Sequence, residues 1–218
     1  MTNKYFKRHR DCGCSSGSKN CVSSGPFQAI DAACIVTPPG PIVTSGAIIP
    51  FSSGTVPAVL TTIAGGLVGT GSLIGFGTSV TGVSLAGGTI TLPTGTLPAV
   101  PVTEAFSMPR AGLLTAISAS FTATVAAATG SFTVTAQVYR APAGSTTYTA
   151  IPGASVTLNP AIVGPITLAQ TVQGTATLPS IPVAAGDTLV MVFSVTGPGG
   201  LLDTAIITGA ASAGLNIA

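Results

Sequence analysis

Along most of the chain, runs of Val, Ile, Leu, Phe and Thr alternate with small or polar residues at a period of two, and glycine or proline ends each run after a few positions. That rhythm belongs to strands half-buried on a pleated surface, whose side chains point alternately to opposite faces. It predicts strands over 58–63, 80–85, 103–108, 113–125, 131–140, 146–151, 155–158, 166–172, 175–178, 188–195 and 205–217. Between them Gly87-Gly88, Pro93, Gly130, Pro142, Pro152-Gly153, Pro160, Gly174, Pro179 and Gly186-Asp187 read as breaks. Within 131–140, Phe132, Val134, Ala136 and Val138 form one apolar face, while Ser131, Thr133, Thr135 and Gln137 form the other. Both faces of 188–195 are largely apolar, which places that strand centrally in a sheet or at a subunit contact. The alanine-rich segment 116–128 alternates with Ser, Thr and Phe and is also read as strand.

An interval of 72 uncharged residues separates Asp31 from Glu104, so a membrane span has to be considered. A spanning helix needs about 20 consecutive apolar residues, and Pro50, Gly54, Pro57, Gly65, Gly66, Gly69 and Gly71 interrupt every run before that length. The architecture expected is all-β, a double-sheet jelly-roll sandwich. Its 218 residues suit one such domain with a tail. Only 6% of residues are charged, far fewer than a soluble exterior normally carries. Burial of part of that exterior against identical copies follows as an expectation.

Three passages carry a resemblance: IPFSSGTVPAVLTTIAGGLVGTGSLIGFG at 49–77, AFSMPRAG at 105–112 and AASAGLNIA at 210–218. Together they resemble the C-terminal domain of BclB-type exosporium glycoproteins, over residues 45–218. The resemblance implies a jelly roll of the C1q and tumour-necrosis-factor type, trimeric, on the outer surface of Bacillus-group endospores, with no catalytic residue. In that family a long collagen-like stalk precedes the domain, and here only Pro38-Pro39-Gly40 resembles it. The missing repeat argues against a glycosylated filament.

Residues 1–44 read as a flexible, basic, cysteine-containing arm. Lys4, Lys7, Arg8, Arg10 and Lys19 face only Asp11 and Asp31 there, whereas Arg110 and Arg140 meet Glu104, Asp187 and Asp203 in the rest of the chain. So sparse a domain offers no basic footprint for nucleic acid. The arm has no apolar run after its basic residues and is not read as a secretory signal. Cys12, Cys14, Cys21 and Cys34 all lie in it, without the paired Cys-x2-Cys knuckles of common zinc sites. Zinc ligation, free thiols and disulfides stay open, and intersubunit disulfides are the preferred reading, because thiols on an exposed arm can meet partners. Ile30, Ile35, Val36, Ile42 and Val43 are candidates for docking the arm into a neighbouring subunit.

Catalysis needs titratable groups gathered in a pocket, and the domain offers only Glu104, Asp187 and Asp203 as acids, with no His or Cys. Glu104 and Arg110 are expected to pair, and Asp187 to close a turn by bonding its own backbone. A calcium site shared by Asp187 and Asp203 has few carboxylates for a hard cation. No metal, cofactor or enzyme activity is expected. The expected role is a structural subunit of a spore-surface fibre or layer, made by trimerisation and head-to-tail docking of the arm, with an exosporium anchoring protein as a further partner. The alternative is a trimeric carbohydrate- or protein-binding module, whose only side-chain cluster is Tyr139, Arg140 and Tyr148.

Overall fold

The computed structural model describes residues 46–92, 104–127, 130–165, 169–200 and 204–218. Fourteen strands run along the described chain: β1 (Ala47–Ser52), β2 (Ala58–Ile63), β3 (Leu67–Val68), β4 (Thr70–Ile74), β5 (Ser79–Ser84), β6 (Thr89–Thr91), β7 (Phe106–Ser107), β8 (Gly112–Ala127), β9 (Gly130–Ala141), β10 (Thr147–Thr157), β11 (Ile162–Gly164), β12 (Gln170–Val183), β13 (Thr188–Thr196) and β14 (Ile206–Ile217). They form two antiparallel sheets. The first has the order β12-β8-β14-β2-β3, with β1 also on β14; the second has the order β5-β4-β13-β9-β10-β6, with β11 on β9 and β7 on β13. The first strands of the domain thus lie beside the last, and the chain crosses between the sheets from β8 to β9, from β10 to β12 by way of β11, from β12 to β13 and from β13 to β14. That order makes the domain a jelly roll.

The period-two pattern is what separates inside from outside. Phe132, Val134, Ala136 and Val138 on β9 all point into the space between the sheets and are buried. Opposite them stand Ile117, Phe121 and Ala123 of β8 and Ile207, Ala211 and Leu215 of β14. The rings of Phe121 and Phe193 meet across the layers with centroids 6.3 Å apart. Strand β13 is central, between β4 and β9, as its two apolar faces require. Leu189, Met191, Phe193 and Val195 face inward, whereas Val190 and Val192 join Leu73, Tyr139 and Tyr148 in a second small core. Leu85, Ile90 and Leu92, from the segment that leads out of β5 through β6, close that second core.

Strand boundaries differ from the sequence reading where glycine and proline sit inside strands. The segments 146–151 and 155–158 are one strand, β10, whose register against β9 shifts between Ala150 and Ser155; Pro152-Gly153 makes a bulge there and does not end pairing. Gly174 likewise does not divide β12; Pro179 falls in a register shift between Thr177 and Ile181, and Pro182 lies just beyond it, opposite Leu113. Strand β12 lies at the end of its sheet's order, where a missing amide is tolerated. Strands β1, β3, β4, β6 and β11 were not foreseen as separate elements. β1 and β2 pair with opposite halves of β14, and Ser53 bridges the gap: its amide donates to Ala211 O at 2.9 Å, and its Oγ accepts from Ala211 N at 3.1 Å.

Candidate functional site

The outer face of the first sheet is set by three long ladders, β1 and β14, β14 and β8, and β8 and β12. Register brings its outward residues into rows. Ser118 on β8 stands opposite Thr175 on β12, and Ser120 stands opposite Ser212 on β14. Their hydroxyls bond pairwise: Ser118 with Thr175 at 2.9 Å, Ser120 with Ser212 at 2.9 Å and Thr122 with Thr171 at 3.0 Å. Asn216 Nδ2 donates to Thr115 Oγ1 at 2.7 Å. None of the six strands of this sheet contains a charged residue. A groove of about 660 Å³ crosses the face at mid-height, bordered by Pro50, Ser120, Gln173, Thr175, Ser212 and Gly214.

Toward the end of the sheet farthest from Ala47 the face changes character. Ile206 is in register with Ala127 and Thr61, Val125 with Thr208, and Ile63 with Leu67, so these side chains share the outward side. Ile63, Leu67, Val125 and Ile206 are each more than half exposed. The charged residues described lie elsewhere. Arg140 Nη1 stands 3.8 Å from Asp187 Oδ2 and donates to Pro182 O at 3.1 Å. Asp187 Oδ2 accepts from Ala184 N at 2.9 Å, which is the turn closure expected of it. Glu104 does not pair with Arg110. It is buried, and its carboxylate accepts a 2.8 Å bond from Thr78 Oγ1. It occupies space that a side chain at residue 75 would need, since a Cβ there would fall on Glu104 Oε2; glycine at that position admits the carboxylate.

Tyr139 and Tyr148 are buried in the second core, so the cluster expected with Arg140 offers no aromatic platform. Burial raises the Tyr139 phenol above its ordinary pKa of 10.0. Phe76, by contrast, is exposed and stacks on Phe51 at 5.5 Å. Among the described residues there is no group of three or more His, Cys, Asp or Glu able to hold a metal ion, and no helix long and apolar enough to cross a membrane. The four cysteines, the docking candidates Ile30, Ile35, Val36, Ile42 and Val43, and Asp203 lie outside the described residues. The hydroxyl rows were missed as a site because their pairing depends on register across three strands. The signal available for them was the lack of charge over the same segments.

No family model matches the chain. A segment of the Collagen-like protein 1 of Acanthamoeba polyphaga mimivirus is 34% identical over 180 residues, covering 80% of this chain and 19% of that protein. The chain therefore spans about a fifth of its relative's length. The structure of Eiger TNF from S. frugiperda aligns with 79% of this chain and 93% of its own, at 12% identity and a TM-score of 0.36. The class defined by fold and surface is a charge-poor jelly-roll module, and its strand order alone establishes the jelly roll.

Proposed function

We propose that this chain is a structural surface subunit, whose jelly roll forms a homotrimer through the hydroxyl-paired part of the first sheet's outer face and whose N-terminal arm joins one trimer to the next in a fibre or layer. The observation that carries this reading is the uncharged, hydroxyl-paired face. Burying an unpaired hydroxyl costs about 1–3 kcal/mol, and each pair already engages one of its two O–H groups internally, so a second copy has only the other O–H of each pair to satisfy. An exterior normally kept wet by charge has none here. The relative is named as collagen-like, and a collagen triple helix joins three chains, which supports three as the copy number.

The resemblance at 49–77 supports a place on the spore exterior of the Bacillus group, with the basic arm directed toward an exosporium anchoring protein. Cys12, Cys14, Cys21 and Cys34 then lock arm to neighbour as disulfides. Light scattering coupled to gel filtration tests the trimer. In reductant, the smallest stable species of the full chain is expected at three times 21.1 kDa. Ser120→Glu, which puts a charge in the middle of the face, is expected to give a monomer with unchanged far-ultraviolet circular dichroism. A wild-type monomer at micromolar concentration, or a trimeric Ser120→Glu protein, would refute the proposal.

A further inference from the structure

The chain enters β1 at one end of the sandwich, where Ala47 pairs with Ile217. The opposite end of the same sheet carries Ile63, Leu67, Val125 and Ile206, at 52%, 63%, 57% and 55% exposure. Val163 on β11 adds a fifth aliphatic at that end, paired with Ser131 near the start of β9 and 60% exposed. Five of the nine large apolar side chains exposed among the described residues therefore gather at the end remote from the termini. No described residue there is charged, since Arg110, Arg140 and Asp187 lie at the termini end and Glu104 beside Thr78. Scattered exposed aliphatics need no explanation, whereas a gathered apolar group marks a contact.

We infer that this rim receives the segment 32–43 of a second copy of this chain, so that trimers stack end on in one direction. The inference rests on the trimer and arm-linkage reading above. Segment 32–43 is itself uncharged and contains Ile35, Val36, Ile42 and Val43, so it matches the rim in chemistry. Distance selects whose segment it is. β14, with 12 residues, spans about 40 Å at the usual strand rise, which is the separation of the two ends. Ile42 and Val43 lie three to four positions before Gly46 and reach no more than about 15 Å from it. They fall short of their own chain's rim. The rim of a copy stacked against the termini end lies within that reach, and Ile35 and Val36, about 35 Å out at full extension, span the rest of it.

The test uses the full chain with Leu67→Cys, since Cys34 already sits in the segment. Trimers grown in heavy nitrogen are mixed with ordinary trimers, oxidised mildly and digested, and peptides joining 34 to 67 are weighed. Heavy-to-light pairs are expected, because only contacts between separate trimers produce them. The further double substitution Val125→Thr with Ile206→Thr keeps β-branched side chains at both positions and removes apolar contact; it should lower the heavy-to-light yield about tenfold. Same-isotope pairs alone, no 34-to-67 pairs, or a yield untouched by the double substitution would each overturn the inference. Light scattering on the same samples tells the two ideas apart: an intact trimer without the link defeats only the rim assignment, and the absence of a trimer defeats the underlying reading.

Discussion

Phe121 and Phe76 allow the same deletion to be made at two sites that the fold values differently. Phe121 is fully buried, bridges the sheets to Phe193, and has Gly209 beside it, where a Cβ would come within 2.9 Å of the Phe121 ring. Phe121→Ala therefore leaves a cavity that position 209 has no side chain to fill. Buried phenylalanine deletions cost about 3–5 kcal/mol in total, the lost ring pair included, so about 4 kcal/mol is expected. Phe76 is 55% exposed, stacks on Phe51 and tilts against Phe106 at 6.2 Å; with two half-exposed ring pairs at about 0.5 kcal/mol each, Phe76→Ala should cost about 1 kcal/mol. With a urea slope near 2 kcal/mol per molar, the midpoints fall by about 2 M and about 0.5 M. Both proteins must be compared at one protomer concentration, because association stabilises the folded chain by mass action. Equal midpoint shifts with unchanged slopes would refute the assignment of Phe121 to the core between the sheets.

Two further outcomes are expected. Ser72 is buried and clamps β2 to β4, its Oγ donating to Val59 O at 2.8 Å and accepting from Val59 N at 2.9 Å; Ser72→Ala strands both groups and should cost about 2 kcal/mol or more in urea unfolding. Alkaline unfolding should track Tyr139, whose pKa is raised by burial. The unfolded phenol loses its proton near pH 10 while the folded one keeps it, so the folded state binds more protons and stability falls as pH rises above about 10. That slope should shrink in Tyr139→Phe, and an identical slope would remove Tyr139 as its source.

The alternation within 131–140 and the doubly apolar run 188–195 were legible because each depends only on neighbours along the chain. They correctly placed the inward face of β9 and the central position of β13. The division of β10 and β12 was misread because a proline or glycine at a bulge and one at a strand end look alike in sequence. Only the register against β9 and β8 separates them. Glu104 was assigned to Arg110 by proximity along the chain, whereas the fold brings Thr78, 26 positions away, within hydrogen-bond distance. Ser118, Ser120 and Thr122 were legible as outward-facing residues. Their partners Thr175, Ser212 and Thr171 belong to strands that only the jelly-roll order places alongside.

The choice of hydroxyls on the first sheet follows from what a contact repeated around an axis demands. A charged row would meet copies of itself, and like charges in a partly desolvated contact repel. A wholly aliphatic row would be sticky before any partner arrived, in the way exposed flat strands invite aggregation. Paired Ser and Thr side chains avoid both costs: they carry no net charge, keep the β-propensity of the strand and leave only one O–H of each pair to be met by water or a partner. Five exposed aliphatic groups gather at one end, whereas the Arg140–Asp187 pair and Arg110 stand at the other beside Ile48 and Leu113. A particle made this way has unlike ends, so an end-on contact joins different surfaces and can repeat without closing. If the arm meets the rim as proposed, reversing one copy would set rim against rim, so directional growth is the arrangement in which the proposed contact repeats.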